Sequence, residues 1–276
     1  MKLYFYADEL NPSAKLAKEI LKKKYASFVA SLKESDTIIS LGGDGTTLAA
    51  LRLGLKHGKK VYGMNLGHLG AYQNTYSPDR LIQRLQQATS VMLHPLTVRA
   101  INTNNIHITQ IAWNEIYVRS GDNPQQARLI GTIDGDKRPF YVCGDGHLIA
   151  SPMGSTAYNL SAGGHKIGFR EKLLASTSIA SCRGVRDLLP ASTHIHLEVV
   201  QSDKRSVSLF TDNVFLGKIR SCDIFQDFSV GVPLLWDKQK VKTFEQTSAK
   251  IIAKRPKTVQ NSLTLKGHYY RQYQRS

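Results

Sequence analysis

The chain has 276 residues, 41% of them hydrophobic, and carries 37 Lys and Arg against 21 Asp and Glu, for a formal charge of +16. That length suits two domains and that apolar share supplies a core, which excludes global disorder. No apolar run approaches the roughly 20 residues of a membrane helix, and the N-terminal Met1-Lys2-Leu3-Tyr4-Phe5-Tyr6 meets Asp8 and Glu9 too early for a secretory signal. Cys143, Cys182 and Cys222 are far apart, odd in number and without a CxxC pair. They read as reduced thiols of a cytoplasmic protein. The positive charge favours polyanionic partners, nucleotides among them. It is spread along the chain rather than gathered in a stripe, so no specific nucleic acid is expected. Of its two densest clusters, Lys22-Lys23-Lys24 reads as the solvated face of a helix; the other is the tail from Lys254 to Arg275.

Residues 2–7 read as a strand and 13–32 as a helix, opened by Pro12-Ser13. Thr37 to Leu41 is a short buried strand, and Thr46 to His57 has helical spacing with Leu48, Leu51 and Leu55 on one face. Lys60 to Met64 reads as a strand, and Ser77-Pro78-Asp79 opens a helix from Leu81 to Ala88. This alternation predicts a parallel sheet with crossover helices. From His94-Pro95 to about Val230 short strands take over: Leu96–Ile101, Ile106–Ile111, Glu115–Val118, Ala127–Ile133, Pro139–Val142, His194–Val199, Val207–Thr211 and Asn213–Ile219. Beyond Phe244 the chain is basic and rich in Tyr and Gln, either a loose tail or a segment that returns to the first sheet.

Two glycine-bounded segments hold most of the chemistry. Gly42-Gly43-Asp44-Gly45 follows the Thr37–Leu41 run, which puts it at the carboxyl edge of a parallel sheet, where open α/β folds bind ligands. Bare glycine backbone and the start of a helix near Thr46 suit phosphate. Asp44 is then a base for an attacking hydroxyl, a partner for Mg²⁺, or simply a helix cap. Walker A and dinucleotide GxGxxG spacings do not fit. The second segment, Gly154-Ser155-Thr156-Ala157-Tyr158 with Ser161-Ala162-Gly163-Gly164, offers hydroxyls, amides and a ring for a ribose, a carboxamide or a base, or is an ordinary satisfied loop. Gly144-Asp145-Gly146 precedes it, and Asn114-Glu115 sets an amide beside a carboxylate, a pair that suits a diol or an adenine edge or marks a surface turn. His194-x-His196 has no third ligand at sensible spacing and reads as a strand edge. His68 is either a phosphate contact or structural, and Tyr269, Tyr270 and Tyr273 beside Arg271 read as packing or solvent-facing residues.

Taken in order, five segments resemble the NAD kinase family, in its compact bacterial form: Gly42–Thr46, Asn65-Leu66-Gly67-His68-Leu69-Gly70, Asn114-Glu115, Gly144-Asp145-Gly146 and Ser151–Gly164. The first alone is shared with diacylglycerol-type lipid kinases; the ordered set is specific. The resemblance implies an α/β N-terminal domain with a parallel sheet over 1–95, joined by a returning C-terminal segment 247–276, and a β-rich NAD-binding domain over 96–246. It implies transfer of the terminal phosphoryl group of ATP, or of polyphosphate, to the adenosine ribose 2′-hydroxyl of NAD, with Mg²⁺ or another divalent cation, by a homodimer or homotetramer. Asp44 would be the base, with Gly42, Gly43, Gly45 and Thr46 as the donor-phosphate loop. Tyr72, Asn114 and Glu115 would hold the adenosine. Thr156, Ala157, Tyr158 and Ser161 would line the NAD site, with Asp145 near the nicotinamide; no residue is assigned to metal. Departures from the family pattern are Ala71 for an aromatic, Asn74 for an acidic residue, Met153 for Thr or Ser, His165 for Pro, and Asp212-Asn213 for Asp-Gly. The alternatives are a lipid kinase and a non-catalytic nucleotide- or nucleic-acid-binding protein.

Overall fold

The computed structural model describes residues 1–67, 70–121, 125–134, 136–182 and 184–255. His68 and the tyrosines of the tail lie outside the described residues. The chain divides into two units, Met1–His94 with Ser229–Phe244, and Pro95–Phe228 with the chain from Glu245 on.

The first unit runs β1 (Leu3–Ala7), α1 (Pro12–Lys24), β2 (Thr37–Gly42), α2 (Asp44–His57), β3 (Lys60–Asn65), β4 (Asn74–Thr75), α3 (Leu81–Gln87) and β5 (Thr89–Leu93). Asn11 caps α1 by accepting from the Ser13 and Ala14 amides at 3.0 and 3.2 Å, and Pro12 sits in the first turn, where its missing N–H costs nothing. The helix stops at Lys24 rather than near residue 32: a 3₁₀ turn follows at Ala26–Phe28, and the Tyr25 hydroxyl is drawn away to the Pro78 carbonyl at 2.9 Å. Every residue of β2 is buried, as expected of a strand covered on both faces.

The second unit contributes β6 (Leu96–Asn102), β7 (His107–Ala112), β8 (Glu115–Ser120), β9 (Ala127–Ile133), β10 (Asp136–Gly144), β11 (Gly146–Ala150), the short α4 (Tyr158–Ser161), β12 (Leu173–Ile179), β13 (Arg186–Pro190), β14 (Ile195–Val199), β15 (Val207–Thr211) and β16 (Val214–Gln226). The chain then returns to the first unit as β17 (Val232–Trp236) and enters α5 (Lys238–Ala253). Residues 229–244 thus join the first unit, with β17 as a strand of its sheet; of the expected returning segment 247–276, residues 256–276 lie outside the described residues.

Among the described residues the first sheet has the order β1-β2-β3-β17-β5, with β4 also on β3. β1, β2, β3, β4 and β17 pair in parallel and β5 runs antiparallel to β17. The second sheet is antiparallel, in the order β10-β9-β14-β16-β15-β8-β11-β12-β13, with β6 on β16 and β7 on β6. Its core gathers Leu96, Val98, Ile116, Val118, Leu129 and Ile195, while that of the first unit gathers Leu3, Phe5, Leu21, Ile39, Leu41 and Met64.

α2 begins at Asp44 and buries Thr47, Ala50, Leu51 and Gly54; of the expected face Leu48, Leu51 and Leu55, only Leu51 is buried. A Cβ on Gly54 would meet the Lys59 carbonyl at 2.9 Å and Val232 and Val61 at 3.0 and 3.1 Å. The helix lies so close to the sheet that small residues occupy the contact and leucines flank it.

Candidate active site

In the first unit the site begins where β2 ends. Gly42 has φ +155°, and a side chain there would drive a Cβ to 2.3 Å from the Thr46 hydroxyl oxygen. Its carbonyl accepts the Leu66 amide at 2.9 Å, which ties the turn to the chain leaving β3. Gly43 is the N-cap of α2, its carbonyl accepting from the Thr46 and Thr47 amides at 3.1 and 3.2 Å. A Cβ on Gly43 or Gly45 would touch nothing within 4 Å. Packing does not require those two glycines, so their bareness leaves open backbone for a ligand.

Asp44 stands in the first turn of α2 but does not cap it. Its Oδ2 accepts the Ala71 amide at 3.2 Å and its Oδ1 the Tyr72 amide at 3.3 Å. One amide on each oxygen fixes the carboxylate and leaves each oxygen a further lone pair. Lys240, from the start of α5, donates to the Gly70 carbonyl at 3.1 Å. Burial pushes this ammonium below the usual lysine range, and the negative charge of Asp44 pushes it back up. Gln73 braces the loop from behind, donating to the Gly43 carbonyl at 2.6 Å and to Thr47 Oγ1 at 2.8 Å.

The Tyr72 ring is only 7% exposed, stacked on Phe244 with centroids 5.9 Å apart, and its carbonyl accepts Trp236 Nε1–H at 2.8 Å. Its backbone, rather than its ring, faces the site chemistry. Asn74 is fully buried and uses its amide as a donor to the Gly63 and Leu235 carbonyls at 3.0 and 3.1 Å. A carboxylate has no hydrogen to offer there.

In the second unit Asn114-Glu115 opens β8. The Asp212 carboxylate accepts the amides of Trp113, Asn114 and Glu115 at 2.9, 2.8 and 3.4 Å. Asp212 and Asn213 form the two-residue turn between the paired Thr211 and Val214, with φ of 45° and 69°. A hairpin turn of this kind needs both central residues left-handed, which Asp and Asn tolerate. Glu115 is buried; burial first, and the Asp212 charge second, push its carboxyl up to about 8. At neutral pH it therefore holds its proton and can donate as well as accept. Trp113 Nε1, Asn114 Oδ1 and Glu115 Oε2 are buried without a hydrogen-bond partner. Three such atoms in three successive residues are uncommon in a settled core.

Against this strand lies the hydroxyl-rich loop. Ser151 accepts from the Gly154 amide at 3.2 Å and donates to the Trp113 carbonyl at 2.6 Å. A Cβ on Gly154 would fall 2.2 Å from the Asn114 carbonyl, so only glycine allows this approach. Ser155 and Asn159 anchor the loop inward: Asn159 donates to the Ser155 and His165 carbonyls, both at 3.0 Å, and accepts from Thr177 at 2.7 Å. Thr156 and Ser161 are left exposed, and Ala157 and Tyr158 half-buried. The Tyr158 ring meets Tyr117 edge-on at 5.0 Å, and Tyr117 stacks on Phe210. Burial raises the Tyr158 hydroxyl above its usual range; Arg119 opposes the rise, and Asp145 and Glu115 add to it. Asp145 is exposed at the turn between β10 and β11.

The sequence did not point to Lys240 or Gln73 and noted Asp212 only beside Asn213 as a departure from the family pattern; each acts across the fold rather than within a motif. His196 pairs with Asp223 at 2.8 Å and His194 with Asp134 at 3.8 Å. Among the described residues no group of three His, Cys, Asp or Glu side chains is placed to hold a metal, and none of the helices is long and apolar enough to cross a membrane.

The family model for the ATP-NAD kinase N-terminal domain matches residues 8–90 and that for the ATP-NAD kinase C-terminal domain matches residues 113–214. An NAD kinase of Caulobacter vibrioides is 35% identical over 229 residues, covering 82% of this chain and 87% of its own. One from Hyphomonas neptunium is 36% identical over 240 residues, covering 86% and 92%. Among solved structures, yeast NADH kinase complexed with NADH matches with a TM-score of 0.73 at 19% identity, over 87% of this chain and 84% of that one. An NAD kinase from Archaeoglobus fulgidus in complex with ATP matches with a TM-score of 0.69 at 20% identity, over 91% and 98%. At such identities the structural likeness speaks for the fold alone. The relatives above one-third identity, matched over most of both chains, speak for more: this chain belongs to the NAD kinase family.

Proposed function

We propose that the chain transfers the terminal phosphoryl group of ATP to the 2′-hydroxyl of the adenosine ribose of NAD, giving NADP and ADP, with Asp44 as general base. The observation that carries this is the Asp44 carboxylate, fixed by two amides at a glycine loop whose Gly43 and Gly45 face open space. A lone pair of Asp44 takes the hydroxyl proton as the ribose oxygen attacks the γ-phosphorus and the bond to the ADP oxygen breaks. Gly42, Gly43, Gly45 and Thr46 cradle the donor phosphates, and Lys240 holds Gly70, next to the two amides that orient the base.

Asn114 and protonated Glu115 hold the adenosine, giving partners to the polar atoms now without them. Thr156, Ala157, Tyr158 and Ser161 line the remainder of NAD, with Asp145 toward the nicotinamide. Tyr72 contributes its amide to Asp44. The described donor set offers Asp44 but no cluster of three ligands. That fits Mg²⁺ that arrives with the donor phosphates and keeps most of its waters. When bound, the cation neutralises charge on those phosphates. Two solved structures of similar fold, one complexed with NADH and one with ATP, support the same ligand classes. The reading extends to a cytoplasmic homodimer or homotetramer.

A coupled NADP assay, with ATP or polyphosphate as donor and NAD, NADH or diacylglycerol as acceptor, tests it. NADP formation that needs Mg²⁺ and is lost in Asp44→Ala is expected. No NADP with any donor would leave a nucleotide-binding module, and phosphorylation of diacylglycerol alone would make the chain a lipid kinase.

A further inference from the structure

The second unit has a groove of about 310 Å³ whose lining includes His165, Lys166, Thr247, Lys250, Lys254 and Arg255. None of these residues is assigned above to NAD or to the donor loop. Its framework is built rather than incidental. The Arg255 side chain is 6% exposed and forks onto Glu171 at 2.9 and 2.8 Å, with a third contact to the Lys166 carbonyl at 3.3 Å. Glu171 is held in turn by the Gly168 amide at 2.6 Å. His165 donates from Nε2 to the Arg186 carbonyl at 3.2 Å, which fixes the ring at the rim.

Glu171 is therefore committed to Arg255. Glu245, the one acidic residue from position 245 to the end of the sequence, pairs with Arg170 at 3.2 Å. Lys166, Lys250 and Lys254 have no ion pair among the described residues, so three ammonium groups line one concavity without a local counter-charge. Like charges gathered in this way repel one another unless an anion enters. Lys250 lies in the last turn of α5 and Lys254 just beyond its end, its amide donating to the Lys250 carbonyl at 3.2 Å, and lysine presents three rotatable donors to an oxyanion. His165-Lys166 stands just beyond Gly163-Gly164.

We infer that this groove binds an oligophosphate anion, a run of three or more phosphates, either inorganic or the tail of a nucleotide. A single phosphate carries too little charge to bridge the three ammonium groups, whereas a short chain meets all of them.

Titration calorimetry of the full chain with sodium tripolyphosphate, without Mg²⁺ or NAD, tests this against Lys250→Glu/Lys254→Glu. The wild type is expected to take up one more tripolyphosphate per chain than the double variant, with kcat and KM for NAD within about twofold of each other. Binding at the donor loop is the component that survives in the variant. Displacement of the extra tripolyphosphate by ATP at lower concentration than by unlabelled tripolyphosphate assigns a nucleotide tail, the reverse assigns an inorganic chain, and adenosine displaces nothing. Should the acidic pair unfold the chain, Lys250→Gln/Lys254→Gln carries the same comparison. Equal stoichiometry in wild type and variant, or tripolyphosphate bound no more tightly than sulfate at matched ionic strength, overturns the inference.

Discussion

Asp44 occupies the first turn of a helix, where a negative charge meets the positive end of the dipole, yet its oxygens accept from Ala71 and Tyr72. Replacing it with Asn keeps the shape and one acceptor, but turns an N–H₂ group toward an amide donor. Asp44→Asn is expected to lower kcat by roughly 10² to 10⁴ and to cost about 1 kcal/mol of stability. NADP formation and urea unfolding measure the two effects, and an unchanged kcat removes Asp44 from the role of base. Asn74 gives a complementary case. Asn74→Asp strips the Gly63 and Leu235 carbonyls of their donor and buries a charge among them. A loss of about 3 kcal/mol or more is expected at neutral pH, smaller in acid, from urea midpoints. Asp44 was legible from its motif, and Asn74 only as a departure noted through the family resemblance. Their partners were not: the amides that fix Asp44 lie 27 and 28 residues on, and Leu235 is 161 residues from Asn74.

At the level of elements, the loop after β11 and the start of β8 touch through a backbone approach that only glycine permits. Gly154→Ala places a methyl against the Asn114 carbonyl and must push the Asn114-Glu115 stretch aside. KM for NAD should rise at least tenfold with a smaller fall in kcat, read from initial rates; unchanged KM would separate this stretch from NAD binding. The sequence made most strands plain where β-branched and aromatic residues alternate, as in Ala127–Ile133 and Val207–Thr211. It hid β12, because Ser176, Thr177 and Ser178 are buried there and erase the alternation. They are satisfied from outside their strand: Ser176 and Ser178 flank the His147 ring at 2.9 and 3.2 Å. β17 was hidden by Pro233, which removes a ladder donor and argues against a central strand. Its registered partner on β3 is a single pair, Leu234 with Val61, so the missing donor is tolerated.

For the whole molecule, two buried titratable groups set opposite pH dependences. Burial lowers His147 from 6.5 to about 3, so stability rises as pH climbs from 3 to 6.5. Glu115 is raised from 4.5 to about 8, so the native state holds a proton that the unfolded chain releases, and stability falls from 4.5 to 8. Each unit of displacement amounts to about 1.4 kcal/mol. Together they predict a rise to pH 4.5, a plateau to 6.5 and a decline to 8. Glu115→Gln should remove the decline and let stability climb to 6.5, as followed by thermal unfolding across buffers. Parallel curves for variant and wild type would mean that Glu115 is ionised in the fold.

The strand order β1-β2-β3-β17-β5 has a consequence for synthesis. The first 94 residues leave the ribosome with a gap between β3 and β5, and the strand that fills it is encoded about 140 residues later. At ordinary elongation rates the nascent N-terminal third waits roughly 7 to 30 s for that strand. The antiparallel sheet, whose strands are contiguous in the message, is free to form in the interval. A chain truncated just short of residue 232 would therefore display a finished second sheet tethered to a protease-sensitive first one.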